Sequence, residues 1–140
     1  MHTFREDNFR VNDLALSPDG TRLVVLLEDK RILVYDFITY EKLREWQLDD
    51  TRLTSVNISQ DSRHMLISMC ADRIKLMDME TGEVKQRFEG QVHQKFVIRS
   101  AFGGANENFV VSGSEGKVEL FRFALKANWR ARFSNLHMEK

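Results

Sequence analysis

Apolar residues fall in short blocks along this chain rather than in helical stripes. Residues Val11–Leu16 alternate, with Leu14 and Leu16 on one side. Leu23–Leu27 is an unbroken apolar run, the pattern of a strand covered on both faces. Arg31–Phe37 is rich in β-formers (Ile32, Val34, Tyr35, Phe37), and Leu43–Leu48 is shorter and more polar, as an outer strand should be. Between the first two blocks stands Ser17-Pro18-Asp19-Gly20, where proline second and glycine fourth suit a type I turn. The same succession returns as Leu53–Ile58, a turn at Ser59–Ser62, Met65–Met69, Ile74–Met79, a turn at Thr81-Gly82 and Val84–Phe88. It returns again as Phe96–Phe102, a turn at Gly103–Asn106, Phe109–Ser112, a loop at Gly113–Gly116 and Val118–Phe123.

The succession is a true repeat. Setting Val11 on Leu53, an offset of 42 residues, places Ser17 on Ser59, Asp19 on Asp61, Arg31 on Arg73, Ile32 on Ile74, Asp36 on Asp78, Thr39 on Thr81 and Glu41 on Glu83, without a gap. An offset of 44 then places Ser68 on Ser112, Ile74 on Val118 and Leu76 on Leu120. A period of about 40–45 residues with four short strands is that of a WD-repeat propeller blade. The predicted fold is therefore all-β, about three four-stranded antiparallel blades forming part of a ring. Residues 1–10 are an N-terminal extension, 11–48 blade 1, 53–90 blade 2, 96–133 blade 3 and 134–140 a tail. The predicted turn residues are Asp19, Asp36, Asp61, Asp78, Gly103 and Gly104, the aspartates because a carboxylate at a tight turn accepts backbone N–H groups. Phe121-Arg122 lacks the aspartate that follows Tyr35 and Met77, which predicts a looser third blade.

The segments Phe96-Val97-Ile98-Arg99-Ser100-Ala101-Phe102-Gly103-Gly104 and Asn108-Phe109-Val110-Val111-Ser112-Gly113-Ser114-Glu115, with Arg10–Gly20 and Ile58–Arg63, closely resemble the WD-repeat subunit of the GID/CTLH ubiquitin ligase. The likeness runs over residues 9–123. It implies a non-catalytic scaffold that assembles the ligase or recruits substrates for degradation, the ubiquitin-transfer chemistry belonging to RING subunits. It implies ligase subunits or substrates as partners, and self-association. Two departures stand out. The family reads Ser-Glu-Asp-Gly where this chain has Ser114-Glu115-Gly116, and its LisH and CTLH helical segments and further blades have no counterpart in these 140 residues, which fits either a truncated relative or an incomplete piece of a longer chain. A WD-repeat binding module unconnected with ubiquitin is the alternative.

Charge and chemistry change this picture little. Lysine plus arginine number 21, and aspartate plus glutamate 21, so no net charge draws the chain to nucleic acid or membrane. Cys70 is the one cysteine, and the polar start of the chain is no signal peptide, so a cytoplasmic or nuclear location is expected. No cofactor is expected. His2, His64, His93 and His137 stand in separate contexts, His64 at the opening of a strand, and no nucleophile elbow, P-loop or metal-binding His pair is present. Phe102-Gly103-Gly104 reads as a strand-to-strand turn, not a phosphate loop. Candidate partner-binding residues are His93, Gln94 and Lys95, in the one loop longer than its counterpart, Arg99 in a strand and Trp129 in the tail. Trp129, Ala131 and Phe133 alternate as a strand would, whereas Leu125, Trp129, Phe133 and Leu136 form a helical stripe. Three repeats leave two open ends. Each end is expected to expose an apolar blade face, which two copies closing one ring, or another protein docked there, would cover.

Overall fold

The structure, a computed structural model, describes residues 1–5, 8–48, 51–70, 73–89, 100–103, 109–114, 117–122 and 130–134, the last four stretches as backbone apart from Phe102. It is all-β, with no helix among the described residues. The described residues form twelve strands in three antiparallel sheets of four, each ordered along the chain or in its reverse. Blade 1 holds β1 (Val11–Leu16), β2 (Arg22–Leu27), β3 (Arg31–Asp36) and β4 (Lys42–Gln47). Blade 2 holds β5 (Leu53–Ile58), β6 (His64–Met69), β7 (Arg73–Asp78) and β8 (Val84–Glu89). Blade 3 holds β9 (Ser100–Gly103), β10 (Phe109–Ser114), β11 (Lys117–Arg122) and β12 (Arg130–Ser134).

Blades 1 and 2 superimpose in sequence strand by strand. Every strand boundary of blade 2 lies 42 residues beyond its counterpart, and the two bulges of each blade recur at matched places. The apolar runs are explained by burial on two sides. Val24, Leu26, Ile32 and Val34 of blade 1 pack with Leu53, Val56, Ile58, Met65, Ile67, Met69, Met77 and Met79 of blade 2. On the far side of blade 2, Leu66, Ile74, Leu76 and Phe88 meet Phe102 of blade 3. Successive residues of a strand point to opposite faces, so a central strand between two blades must be apolar at nearly every position.

Blade 3 departs from the repeat at its hairpin. The register pairs Val118 with Gly113, as it pairs Ile74 with Ser68, so Gly113 rather than Ser112 stands at the place of Ser68. The expected loop Gly113–Gly116 shrinks accordingly, because Gly113 and Ser114 continue β10 and only residues 115–116 separate Ser114 from its partner Lys117. In blade 2 residues 70–72 separate Met69 from Arg73. The acidic residue absent after Glu115 is thus absent from a shorter hairpin. Gly103 is likewise a ladder residue, paired with Phe109 at the end of β9, and not the expected turn. Gly104 lies outside the described residues. In the tail, β12 pairs with β11 from Phe121–Arg130 to Lys117–Ser134, which decides for the strand at Ala131 and Phe133.

Candidate partner-binding face

Two turns in each of blades 1 and 2 are held by an aspartate. Between β1 and β2, the Ser17 hydroxyl donates to Asp19 Oδ1 at 2.6 Å, and the same oxygen accepts from the Thr21 N–H at 2.9 Å and hydroxyl at 2.8 Å. The Ser17 oxygen in turn accepts from the Arg22 N–H at 3.0 Å. Blade 2 repeats the device. The Ser59 hydroxyl donates to Asp61, which also accepts from the Arg63 N–H at 3.0 Å, and Ser59 accepts from the His64 N–H at 3.0 Å. At the β3–β4 turn, Asp36 Oδ1 accepts from the Ile38 and Thr39 N–H groups at 2.8 and 3.0 Å. At the β7–β8 turn, Asp78 Oδ1 accepts from Glu80 and Thr81 at 2.8 and 3.1 Å.

These donors favour the ionised carboxylates. Asp19 is brought from 3.8 to about 2, first by the Ser17 hydroxyl and then by Thr21. Asp36 is lowered, first by the Thr39 N–H and then by the Ile38 N–H. Burial opposes ionisation of Asp61, but the Ser59 hydroxyl, the Arg63 N–H and nearby His64 outweigh it. Burial also opposes ionisation of Asp78, where the Glu80 and Thr81 N–H groups prevail.

Ser59, Asp61 and His64 bring the residue types of a hydrolytic triad to one turn, with His64 Nδ1 3.4 Å from Asp61 Oδ2. The wiring is not that of a nucleophile. The hydroxyl donates to the carboxylate, and its oxygen accepts from the backbone N–H of His64 rather than facing the imidazole as a triad requires. His64 opens β6, as its place after the turn predicts. Among the described residues, no three His, Cys, Asp or Glu side chains gather as a metal site.

The contact between blades 1 and 2 is polar at its rim. Asn12 Nδ2 donates to the Leu53 carbonyl at 2.9 Å, and the Val56 N–H donates to Asp13 Oδ2 at 3.0 Å. The Asp19 N–H reaches Ser62 Oγ at 3.1 Å, and Arg44 Nε donates to the Glu80 carbonyl at 3.1 Å. Two neighbouring blades are thereby fixed at inner strand, turn and outer strand.

The end of blade 1 is not the bare face expected from three repeats. Leu23, Val25, Leu27, Leu33 and Tyr35 are buried, with Phe4 of the N-terminal extension packed on them. The Phe4 ring lies 4.8 Å from Tyr35, and His2 stacks on Tyr40 at 4.3 Å with the rings 10° from parallel. Farther along, Arg31 lies over the Phe9 ring at 4.8 Å while bonding Asp29 at 2.6 Å and Glu45 at 2.7 Å. A groove of about 890 Å³ runs between this extension and β1–β3, with Phe4, Phe9, Leu14, Val25 and Tyr35 among its walls. Beside it Phe37, Ile38 and Tyr40 of the β3–β4 turn are exposed, Ile38 at 71%. Apolar and aromatic side chains on a surface are the material of protein contacts. Sequence reasoning passed over Phe4 and Phe9 and set His2 aside as an isolated histidine. Their signal is three rings in an otherwise polar extension. The residues it named instead, His93, Gln94, Lys95, Arg99 and Trp129, lie outside the described residues.

The β-propeller domain of Cps50 (Swd1) from Myceliophteria thermophila matches 94% of this chain and 40% of its own length, with a TM-score of 0.77 and 15% identity. U3-55K matches 93% of the chain and 41% of its own, again with a TM-score of 0.77, at 14% identity. The three sheets are β-propeller blades. No family model matches the chain. A WD repeat-containing protein of Dictyostelium discoideum is 38% identical over 107 residues, 76% of this chain and 18% of its own length. The WDS homolog of Arabidopsis thaliana, also a WD repeat-containing protein, is 36% identical over 108 residues. GID complex subunit 7 of Schizosaccharomyces pombe is 31% identical over 119 residues, 80% of this chain and 23% of its own. The likeness read in the sequence to a GID-type WD-repeat subunit is therefore present in the comparisons. The chain spans about a fifth of the length of these curated relatives.

Proposed function

We infer that this WD-repeat chain is a non-catalytic protein-interaction module of a GID/CTLH-type ubiquitin ligase, acting in assembly or in substrate recruitment for degradation, in the cytoplasm or nucleus. The observation that carries the reading is the 31% identity to GID complex subunit 7 over 119 residues, in a chain whose described residues form propeller blades. Its partners in this reading are ligase subunits, substrates and a second copy of the chain meeting it blade end to blade end. The plainer reading, a WD-repeat module without a ubiquitin connection, is favoured by the higher identities of 38% and 36% to proteins named for their WD repeats alone. Capture of a tagged chain from its own cells, followed by mass spectrometry, separates the two. RING and CTLH subunits enriched over an unrelated propeller control are expected. A well-folded bait that brings down other proteins and no ligase subunit would overturn the ligase reading and leave the plainer one.

A further inference from the structure

The methionines of blades 1 and 2 are sorted to one face. Met65, Met69, Met77 and Met79 all lie in the cluster between the two blades, and none is more than 1% exposed. The cluster on the far side of blade 2, with Leu66, Ile74, Leu76 and Phe88, holds no methionine among the described residues. The repeat does not impose this sorting, because Leu23, Leu27, Tyr35 and Phe37 stand 42 residues earlier at the same positions. Met65 and Met77 are partners across β6 and β7, and the Met79 N–H donates to the Arg63 carbonyl at 2.9 Å just past β7. Three of the four residues therefore gather at one end of the seam between the blades, and Trp46 packs on the same cluster. Met69 stands at the opposite end of β6, paired with Leu53.

Methionine is unbranched and soft, so it fills an irregular seam between two sheets well. It is also the apolar side chain that a hydroperoxide turns polar. The side chains that bond across this seam are already committed. Asn12 Nδ2 donates to the Leu53 carbonyl and Arg44 Nε to the Glu80 carbonyl. Asn12 Oδ1 is buried without a hydrogen bond, but it accepts rather than donates. A sulfoxide oxygen formed in the cluster must take a donor from an existing bond or stay unpaired, and either outcome weakens the closed seam.

We propose that the seam between blades 1 and 2 is a redox-sensitive switch, in which a hydroperoxide that reaches the methionine sulfurs while the seam is open leaves sulfoxides that hinder its closing. A sulfur lone pair attacks the terminal peroxide oxygen. The S–O bond forms, the O–O bond breaks, and the proton of the transferred oxygen passes to the departing one. Sulfur loses two electrons, and the hydroperoxide is reduced to an alcohol, or to water when it is hydrogen peroxide. A thiol-dependent methionine sulfoxide reductase reverses the step, two thiols becoming a disulfide as the oxygen leaves as water. The closed seam shields all four sulfurs, so conversion follows opening. This inference stands whether or not the chain serves a ligase.

The test doses the intact chain, carrying Cys70→Ser to remove the thiol, with hydrogen peroxide in the absence of denaturant. Mass spectrometry of its peptides follows each methionine, and the urea midpoint is read before treatment, after it, and after the reductase. Met1, fully exposed, is expected to convert first, and the four seam methionines later and together. Gly82→Ala displaces the Trp46 indole from the seam and is expected to speed conversion of the four by about tenfold, leaving Met1 unchanged. Conversion is expected to lower the urea midpoint, and the reductase to restore it. A chain with Met65→Leu, Met69→Leu, Met77→Leu and Met79→Leu, a size-matched exchange, is expected to keep its midpoint through the same dose. Met65→Leu with Met69→Leu, where blade 1 itself has leucine at the repeat positions, is the second variant and is expected to lose less than the parent. An undiminished fall in either folded leucine variant overturns the switch. So does conversion of the four without any fall, or their survival in Gly82→Ala once Met1 is fully converted.

Discussion

Asp36 and Asp78 do the same work 42 residues apart, each holding two backbone N–H groups of a turn. Asp78 is the more buried, so its removal strands donors that solvent reaches less easily. Asp78→Ala is expected to lower stability by about 1–3 kcal/mol, the range for leaving a buried donor unsatisfied, read from the urea midpoint. The four turn carboxylates also give stability a pH dependence of definite sign. A carboxyl held below its unfolded value stabilises the fold above that value and ceases to do so as pH falls through the folded one. For Asp19 the window runs from 3.8 down to about 2, and Asp36, Asp61 and Asp78 are shifted in the same direction. The thermal midpoint is expected to fall as pH drops through this window, and Asp19→Asn is expected to flatten the fall. A midpoint as steep in Asp19→Asn as in the parent would remove this role from Asp19.

At the scale of elements, the contact between β4 and the β7–β8 turn leaves no room for a side chain at Gly82. Gly82 combines a positive φ of 73 with Trp46 at 2.4 Å from any added Cβ, so Gly82→Ala both strains the backbone and displaces the indole. A loss of about 1–3 kcal/mol is expected in denaturation, the usual range for overpacking. In a Trp46→Ala background the cost is expected to be smaller, because only the backbone strain remains, and the difference measures the coupling. Much of this architecture was legible in sequence. Ser17, Asp19, Asp36 and their counterparts mark turns by chemistry that acts within a few residues, so the strands between them followed almost to the residue. The blade 3 hairpin was misjudged because its loop had lost a residue, and a period alone does not tell which strand absorbs the change. Gly103 was read as a turn because glycine pairs suit turns, yet its ladder partner Phe109 lies beyond any local signal. The packing of Phe4 on Tyr35 was illegible for the same reason. Phe4 stands one repeat period, 42 residues, before Trp46, but the contact itself exists only once blade 1 is folded.

Over the whole molecule, burial and hydrogen bonding join blades 1 and 2 into one unit. Their facing sides form a single cluster, and Asn12, Asp13 and Arg44 bridge to backbone atoms of blade 2. Repeat arrays take much of their stability from such neighbour interfaces. A rigid pair of blades also suits a binding module, since a partner meets a surface already ordered. Native-state hydrogen exchange on the intact chain tests this unity most directly. Amides of β2 and β3 and those of β6 and β7 are expected to open together, with one free energy, and Gly82→Ala is expected to lower both sets equally. If the variant lowers protection in blade 2 while blade 1 keeps its own, the blades are separate folding units and the account of a shared core is wrong.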